Sequence, residues 1–284
     1  MIKMVQPACR TLQEKYESDE KLGSAEKGVQ EATADVMVTL LGGFSISVFG
    51  EEIPFCKSSK ARMLLQLLIL EKGKPVSGEF LRDALWPNMD VSSSALRVAA
   101  HSLRKYLQKW IPAPCLSLST SGTGGYQVDL TNTWVDCLEF ESAIQANPKD
   151  QTNRYVDAEL LRKRAIELYK DDLLLGEELL PWLDLRRYSF RSSYLAALES
   201  EIEQACQSKE SARIIQLSTQ ILSLEPYNEN AYRSIIEHHA RLGHRLQAHQ
   251  WISICTQRLR EDLDVDPETE TLRVFEQAKS LPKI

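Results

Sequence analysis

The sequence contains no Cys-x-x-Cys pair. Its six cysteines, Cys9, Cys56, Cys115, Cys137, Cys206 and Cys255, lie far apart, with no metal-ligand spacing among them. That excludes a zinc-finger or zinc-ribbon scaffold and leaves free thiols suited to a reducing compartment. Long apolar runs are also missing: Met63–Leu70 is the longest, is broken by Gln66, and falls far short of the roughly 18 residues a membrane span needs. Met1–Arg10 has no apolar h-region, so a cytoplasmic protein with no membrane partner is expected. No Gly-Lys-Ser or Gly-Lys-Thr follows Gly122, Gly124 and Gly125, which excludes a phosphate loop there. No serine or cysteine stands in a nucleophile elbow, and Glu199, Glu201 and Glu203 read as the solvated face of a long helix. Neither an enzyme nor a cofactor is expected. Basic charge is in deficit too, with 34 Lys and Arg against 40 Asp and Glu, so any nucleic-acid site must be local.

What is present falls into three parts. Residues 1–35 are polar and mixed in charge, lack a sustained apolar stripe, and read as a flexible leader with no assigned chemistry. From Val36 the pattern turns to short strands at Met37–Leu41, Phe44–Val48 and Ile53–Phe55, punctuated by Gly42, Gly43, Gly50 and Pro54. Helices are predicted over Ser58–Lys72, stopping at Gly73, and Gly78–Trp86, with Ser77 as N-cap, followed by a third over Ser92–Trp110. Cys115–Thr120 and Tyr126–Leu130 read as strands joined by the glycine-rich turn 121–125. Strands, three helices and a hairpin in that order describe a winged helix-turn-helix domain over 36–134.

From residue 135 to 284 strand signals vanish and helical periodicity takes over. The predicted helices are Asp136–Ala146, Tyr155–Tyr169, Pro181–Gln207, Ser211–Leu224, Asn228–Leu242, Leu246–Leu263 and Pro267–Ser280. Helix, short turn, helix units such as those around Pro226-Tyr227-Asn228 and Leu242-Gly243-His244 are the building blocks of tetratricopeptide arrays. The fold class expected is therefore an α+β winged helix-turn-helix domain followed by an all-α tetratricopeptide-like domain. His238, His239, His244 and His249 cluster around one turn. Without a carboxylate or cysteine at tight spacing they read as exposed residues of adjacent helices and not as a metal site. Trp182, Tyr188, Tyr194, Tyr227, Tyr232 and Trp251 of this half could line a concave recognition surface; most read instead as helix-packing core, with Trp182 beside Pro181 open to either.

The third helix carries the functional signal. At 100° per residue, Leu96, Ala99, Ala100, Leu103, Leu107 and Trp110 share one face, while Ser94, Arg97, His101, Arg104, Lys105 and Gln108 lie opposite with no acidic residue between them. A basic face alone is also what binary patterning leaves on a solvated helix. Its place after two helices and before a hairpin favours a helix that enters the major groove of double-stranded DNA, where cations meet phosphates and arginine pairs with guanine. Thr123 and Gly124 of the wing complete the expected DNA-binding set.

The stretches Arg82-Asp83-Ala84-Leu85-Trp86-Pro87, Ser94-Ala95-Leu96-Arg97-Val98 and Leu103-Arg104-Lys105-Tyr106-Leu107 resemble the winged helix of the Streptomyces antibiotic regulatory protein family. Gly124-Gly125-Tyr126-Gln127-Val128 resembles its wing, and Val135-Asp136-Cys137-Leu138-Glu139-Phe140 its exit into the next domain. The remainder resembles the bacterial transcriptional activator domain, through Tyr169–Glu177, Pro181-Trp182 with Arg186 and Arg187, and Leu263-Asp264-Val265-Asp266-Pro267. The resemblance implies a transcription activator at direct-repeat promoter sites, bound as a homodimer or pair, with RNA polymerase as a further partner. The family often carries basic residues where this chain has Ala99 and Ser102, and an arginine in the wing where it has Ser119–Thr123. Fewer cations imply fewer phosphate contacts and a shallower salt dependence. The competing expectation is a tetratricopeptide-like interaction adaptor whose winged helix has lost or weakened DNA binding.

Overall fold

A computed structural model describes residues 34–89, 91–122, 125–145, 158–177 and 181–280. The leader therefore lies outside the described residues except for Ala34 and Asp35, as do Thr123 and Gly124 of the wing and the first residues of the helix expected from Tyr155. The chain divides by contacts into two compact units, residues 1–191 and 192–284.

The first unit opens with strands β1 (Val36–Thr39), β2 (Ser45–Val48) and β3 (Glu51–Glu52). Val36, Val38, Ile46 and Val48 point inward at alternate positions, the period of a half-buried strand. The third strand is Glu51–Glu52 and not the expected Ile53–Phe55. Pro54 has no N–H to add to the ladder, and Phe55 instead stacks, half exposed, on Phe44. Helix α1 (Ser59–Leu70) is capped by the Ser58 hydroxyl, which accepts from Ala61 N–H, and α2 (Gly78–Leu85) by Ser77, which accepts from Phe80 N–H. Helix α3 (Ser93–Trp110) follows, then the hairpin β4 (Ser117–Thr120) and β5 (Tyr126–Asp129).

A strand absent from the sequence reading, β6 (Thr133–Val135), pairs parallel with β1 and completes a sheet of order β3-β2-β1-β6. Three residues are too few to display alternation, so its only support is the partner strand. Parallel pairing brings the C-terminal ends of β1 and β6 together. Leu40 and Leu41 leave β1 just where Asp136 begins helix α4 (Asp136–Gln145), and the buried carboxylate accepts the N–H of Leu40 at 2.8 and 2.9 Å and of Leu41 at 2.8 Å. Burial pushes the Asp136 carboxyl up to about 6, against the pull of the backbone N–H donors of Leu41, Leu40 and Cys137.

Helix α5 (Ala158–Leu168) leads into the segment Tyr169–Glu177, which is tied back to the same strand end. Leu174 N–H donates to Leu40 O at 2.7 Å, and Gly42 N–H to Asp172 O at 3.1 Å. Asp172 accepts from the Tyr169 hydroxyl at 2.8 Å and pairs with Arg191. Burial opposes its ionisation, but the Arg191 and Tyr169 donors outweigh that and hold the carboxyl below the ordinary range. Glu177 receives Arg62 at 2.9 Å and Gln66 at 3.0 Å from α1. The long helix α6 (Pro181–Gln207) starts against the winged helix: the Trp182 indole N–H donates to Ala84 O at 3.2 Å, and Arg186 meets Glu71 at 2.8 Å. Arg187 donates to the carbonyls of Leu173 at 2.8 Å and Leu174 at 2.6 Å. Of the residues that carry the family resemblance in this half, those in Tyr169–Glu177 with Trp182, Arg186 and Arg187 therefore form a junction onto the helices that support α3.

The second unit holds the rest of α6 with α7 (Ser211–Leu224), α8 (Glu229–Arg241), α9 (Arg245–Leu263) and α10 (Thr269–Ser280). Asn228 caps α8 by accepting from Ala231 N–H, and α8 packs on α7, α9 and α10 with Tyr232, Ile235 and Ile236 fully buried. The expectation that the clustered histidines are all exposed fails for His238. It is 5% exposed and bonds through Nδ1 to Ser234 O at 2.8 Å, because it falls on the α8 face that packs inward. His239 and His244 stand 5.7 Å apart by ring centroid, and desolvation followed by His244 lowers the His239 pKa. Among the described residues no group of three or more His, Cys, Asp or Glu could hold a metal, and no helix is long and apolar enough to cross a membrane.

Candidate nucleic-acid interface

Helix α3 is amphipathic in the way its sequence requires. Leu96, Ala99, Ala100, Leu103 and Leu107 are buried, packed against α1, α2 and the hairpin strand β4. The helix carries Arg97, Arg104, Lys105 and Lys109 and no acidic residue, a net charge of +4 in a chain whose total is -6. Ser94, Arg97, His101, Lys105 and Gln108 are exposed and Arg104 is half-buried, all on the face turned away from the core. Arg97 makes one weak contact, to Ser93 Oγ at 3.3 Å. Among the described residues, His101, Arg104 and Lys105 have no hydrogen-bond or ion-pair partner. The charges of Arg104 and Lys105 are thus not neutralised by any described residue.

The hairpin adds what the helical wheel could not. Arg97 and Arg104 line a hollow of about 660 Å³ together with Leu118, Ser119, Thr120 and Tyr126, so strand β4 runs beside the basic face. Wing residues Thr123 and Gly124 lie outside the described residues. The hairpin is anchored near its turn: Val76 and Tyr126 exchange N–H donations at 2.8 Å in both directions. Gly125 sits at that contact, and a Cβ there would meet Val76 O at 2.8 Å. Backbone, unlike a flexible side-chain tip, cannot yield cheaply. Gly125→Ala is therefore expected to lower stability by about 1–3 kcal/mol in chemical denaturation.

Two features of the contact face escaped the sequence reading. Val98 is 65% exposed and stands among Ser94, His101 and Lys105; its wheel angle, about 200° from Leu96, was the available signal. An exposed branched methyl pair on such a helix suits the thymine C5-methyl group. Ala99 is 3% exposed, so the absence of a cation there removes no surface contact. Of the two missing helix charges, only that at half-buried Ser102 bears on the interface.

Residues 52–128 match the family described as transcriptional regulatory protein, C terminal, and residues 135–278 match the bacterial transcriptional activator domain. No curated protein matches the chain. Among solved structures, the chain is similar to Mycobacterium tuberculosis EmbR in complex with a low-affinity phosphopeptide. The identity is 18%, the TM-score 0.63, and the match covers 88% of this chain and 66% of that one. The chain thus spans just under two thirds of the length of that protein, and at this identity the likeness concerns the fold. With a winged helix at its N-terminal side and an activator domain over half its length, the chain belongs to the bacterial transcriptional activator domain family and combines the domains of a transcription regulator resembling the Streptomyces antibiotic regulatory proteins.

Proposed function

We propose that the chain is a sequence-specific DNA-binding activator, in which α3 enters the major groove and the wing around Thr123 and Gly124 lies against the backbone or minor groove. The reading rests on one observation: a helix of net charge +4, buried on one face, whose other face offers His101, Arg104 and Lys105 without partners among the described residues. Arg97 and Arg104 read guanine edges or neutralise phosphates, Lys105 and His101 hold the backbone, and Ser94, Gln108 and Val98 adjust base choice. Direct-repeat sites, a homodimer on DNA, contact with RNA polymerase and a cytoplasmic location complete the proposal. So does the division into a leader over 1–35, a DNA-binding domain over 36–134 and an activator domain over 135–284.

The test is a titration of the full chain against bulk duplex DNA at low salt, then against fragments it selects from genomic DNA. Nonspecific binding in the micromolar to sub-millimolar range is expected. Arg97→Ala or Arg104→Ala should each cost about 1–3 kcal/mol on a selected site if the residue reads a base, or lower the salt slope by about one if it contacts phosphate. A double variant with unaltered affinity and footprint would remove α3 from the interface. The uncharged strand β4, with Ser117, Ser119 and Thr120, favours the second reading, an interaction adaptor. Silence against bulk DNA at low salt would select it.

A further inference from the structure

Below the basic hollow, between the C-terminal half of α3 and β4, lies a second cavity of about 450 Å³. That volume is within the range of small-molecule sites. Its lining includes the apolar residues Leu107, Ile111, Pro114, Leu116 and Leu118. Its charged and polar lining residues come from both sides, Ser117 among them. Arg104 and Gln108 stand on the helix side, and Asp129 on the hairpin side. Arg104 has no partner among the described residues, whereas Asp129 is engaged by the Thr131 N–H at 2.9 Å and hydroxyl at 2.6 Å, which hold its carboxyl below the ordinary range. The cavity and the basic hollow share two wall residues, Arg104 and Leu118.

We propose that this cavity binds a small monocarboxylate with an apolar body, whose carboxylate takes Arg104 and so withdraws it from DNA. The apolar walls accept the body, and the lone guanidinium accepts the charge in a bidentate pair. Asp129 across the cavity repels a second negative charge, which selects a monoanion over a dicarboxylate. Arg104 cannot face a carboxylate in the cavity and a phosphate or guanine in the groove at once, so the two ligands compete. The site needs only the cavity and Arg104, but the competition rests on the DNA-binding reading above.

Octanoate is a suitable probe for the full chain, with octanol, octanedioate and acetate as controls at matched ionic strength. Saturable octanoate binding is expected, with amide shifts confined to residues 104–118 and 129. At least tenfold weaker binding of octanol, octanedioate and acetate is also expected. Saturating octanoate should weaken duplex binding about tenfold. Filling the cavity with Ile111→Trp, or with Ser117→Tyr at an exposed strand position should the first fail to fold, should abolish octanoate binding and leave DNA affinity within twofold. Arg104→Met should erase the preference for octanoate over octanol. No saturable binding, or binding unaffected by either filling variant, overturns the site. If octanoate binds in the cavity while DNA affinity stays unchanged, the competition falls and the DNA reading stands. If octanoate binds but the chain ignores DNA altogether, the DNA reading falls and the site stands.

Discussion

Asp136→Ala is expected to destabilise the first unit by about 3–5 kcal/mol at pH 7, enough to leave much of the protein unfolded near physiological temperature. The carboxylate accepts the N–H groups of Leu40 and Leu41 where β1 ends, and all of these residues are buried. Alanine would leave those donors without an acceptor and without water. Asp136→Asn separates charge from shape, since the amide keeps one acceptor oxygen but turns an N–H₂ towards backbone donors. An intermediate loss is expected. The pH dependence carries a sign. Because burial raises the Asp136 pKa to about 6, the folded state binds this proton more tightly than the unfolded chain does. The proton-linked part of the stability is complete below an ordinary carboxylate pKa, about 4, and is lost as pH rises through about 6, by roughly 3 kcal/mol in all, while the acceptor role towards Leu40 and Leu41 persists at pH 7. Urea melts of wild type between pH 4 and 7 should show that decline, and Asp136→Asn should flatten it. A wild-type profile flat across this window would overturn the assignment. The same geometry predicts that a fragment ending at residue 134 folds poorly, because it lacks the acceptor for its own first strand.

Phe140→Ala should cost about 3–5 kcal/mol. Phe140 is 1% exposed and lies between two rings, Tyr169 at 5.9 Å and Phe190 at 5.5 Å between centroids. It thus joins α4, the segment after α5 and the first half of α6 in one aromatic cluster. Removing it opens a cavity that three separate elements must collapse to fill, and each is held by its own anchors: Asp136 for α4, Asp172 and Arg191 for the junction, Trp182 for α6. Collapse is therefore restricted and the cost belongs at the upper end. Phe140→Leu, which keeps most of the volume, should recover more than half of it in thermal or urea melts. Equal losses for the two variants would mean that the ring contacts, and not the volume, set the energy.

Helices were legible wherever apolar residues recur along a long stretch. Ser58, Ser77 and Asn228 cap helices close to where their sequences place them, and α3 follows its wheel residue by residue, because side-chain period and burial are the same fact on a helix of 18 residues. Short strands were less legible. Glu51–Glu52 carries no apolar signal and exists only through pairing with β2, and β6 exists only through pairing with β1. Val98 could have been found from its angle on the wheel. The residues that line the hollow beside Arg97 and Arg104 could not, since Thr120 and Tyr126 are more than ten residues away.

The sequence by itself therefore determined the order of the helices, the buried and basic faces of α3, and the family, all of which depend on local periodicity or short motifs. Tertiary structure alone decided that Asp136, Tyr169–Glu177 and Trp182 hold the winged helix from outside its own motif, and that Arg104 looks into two hollows. The reason is physical. Buried donors need acceptors and cavities need walls, and both are supplied by residues that only the folded chain brings together.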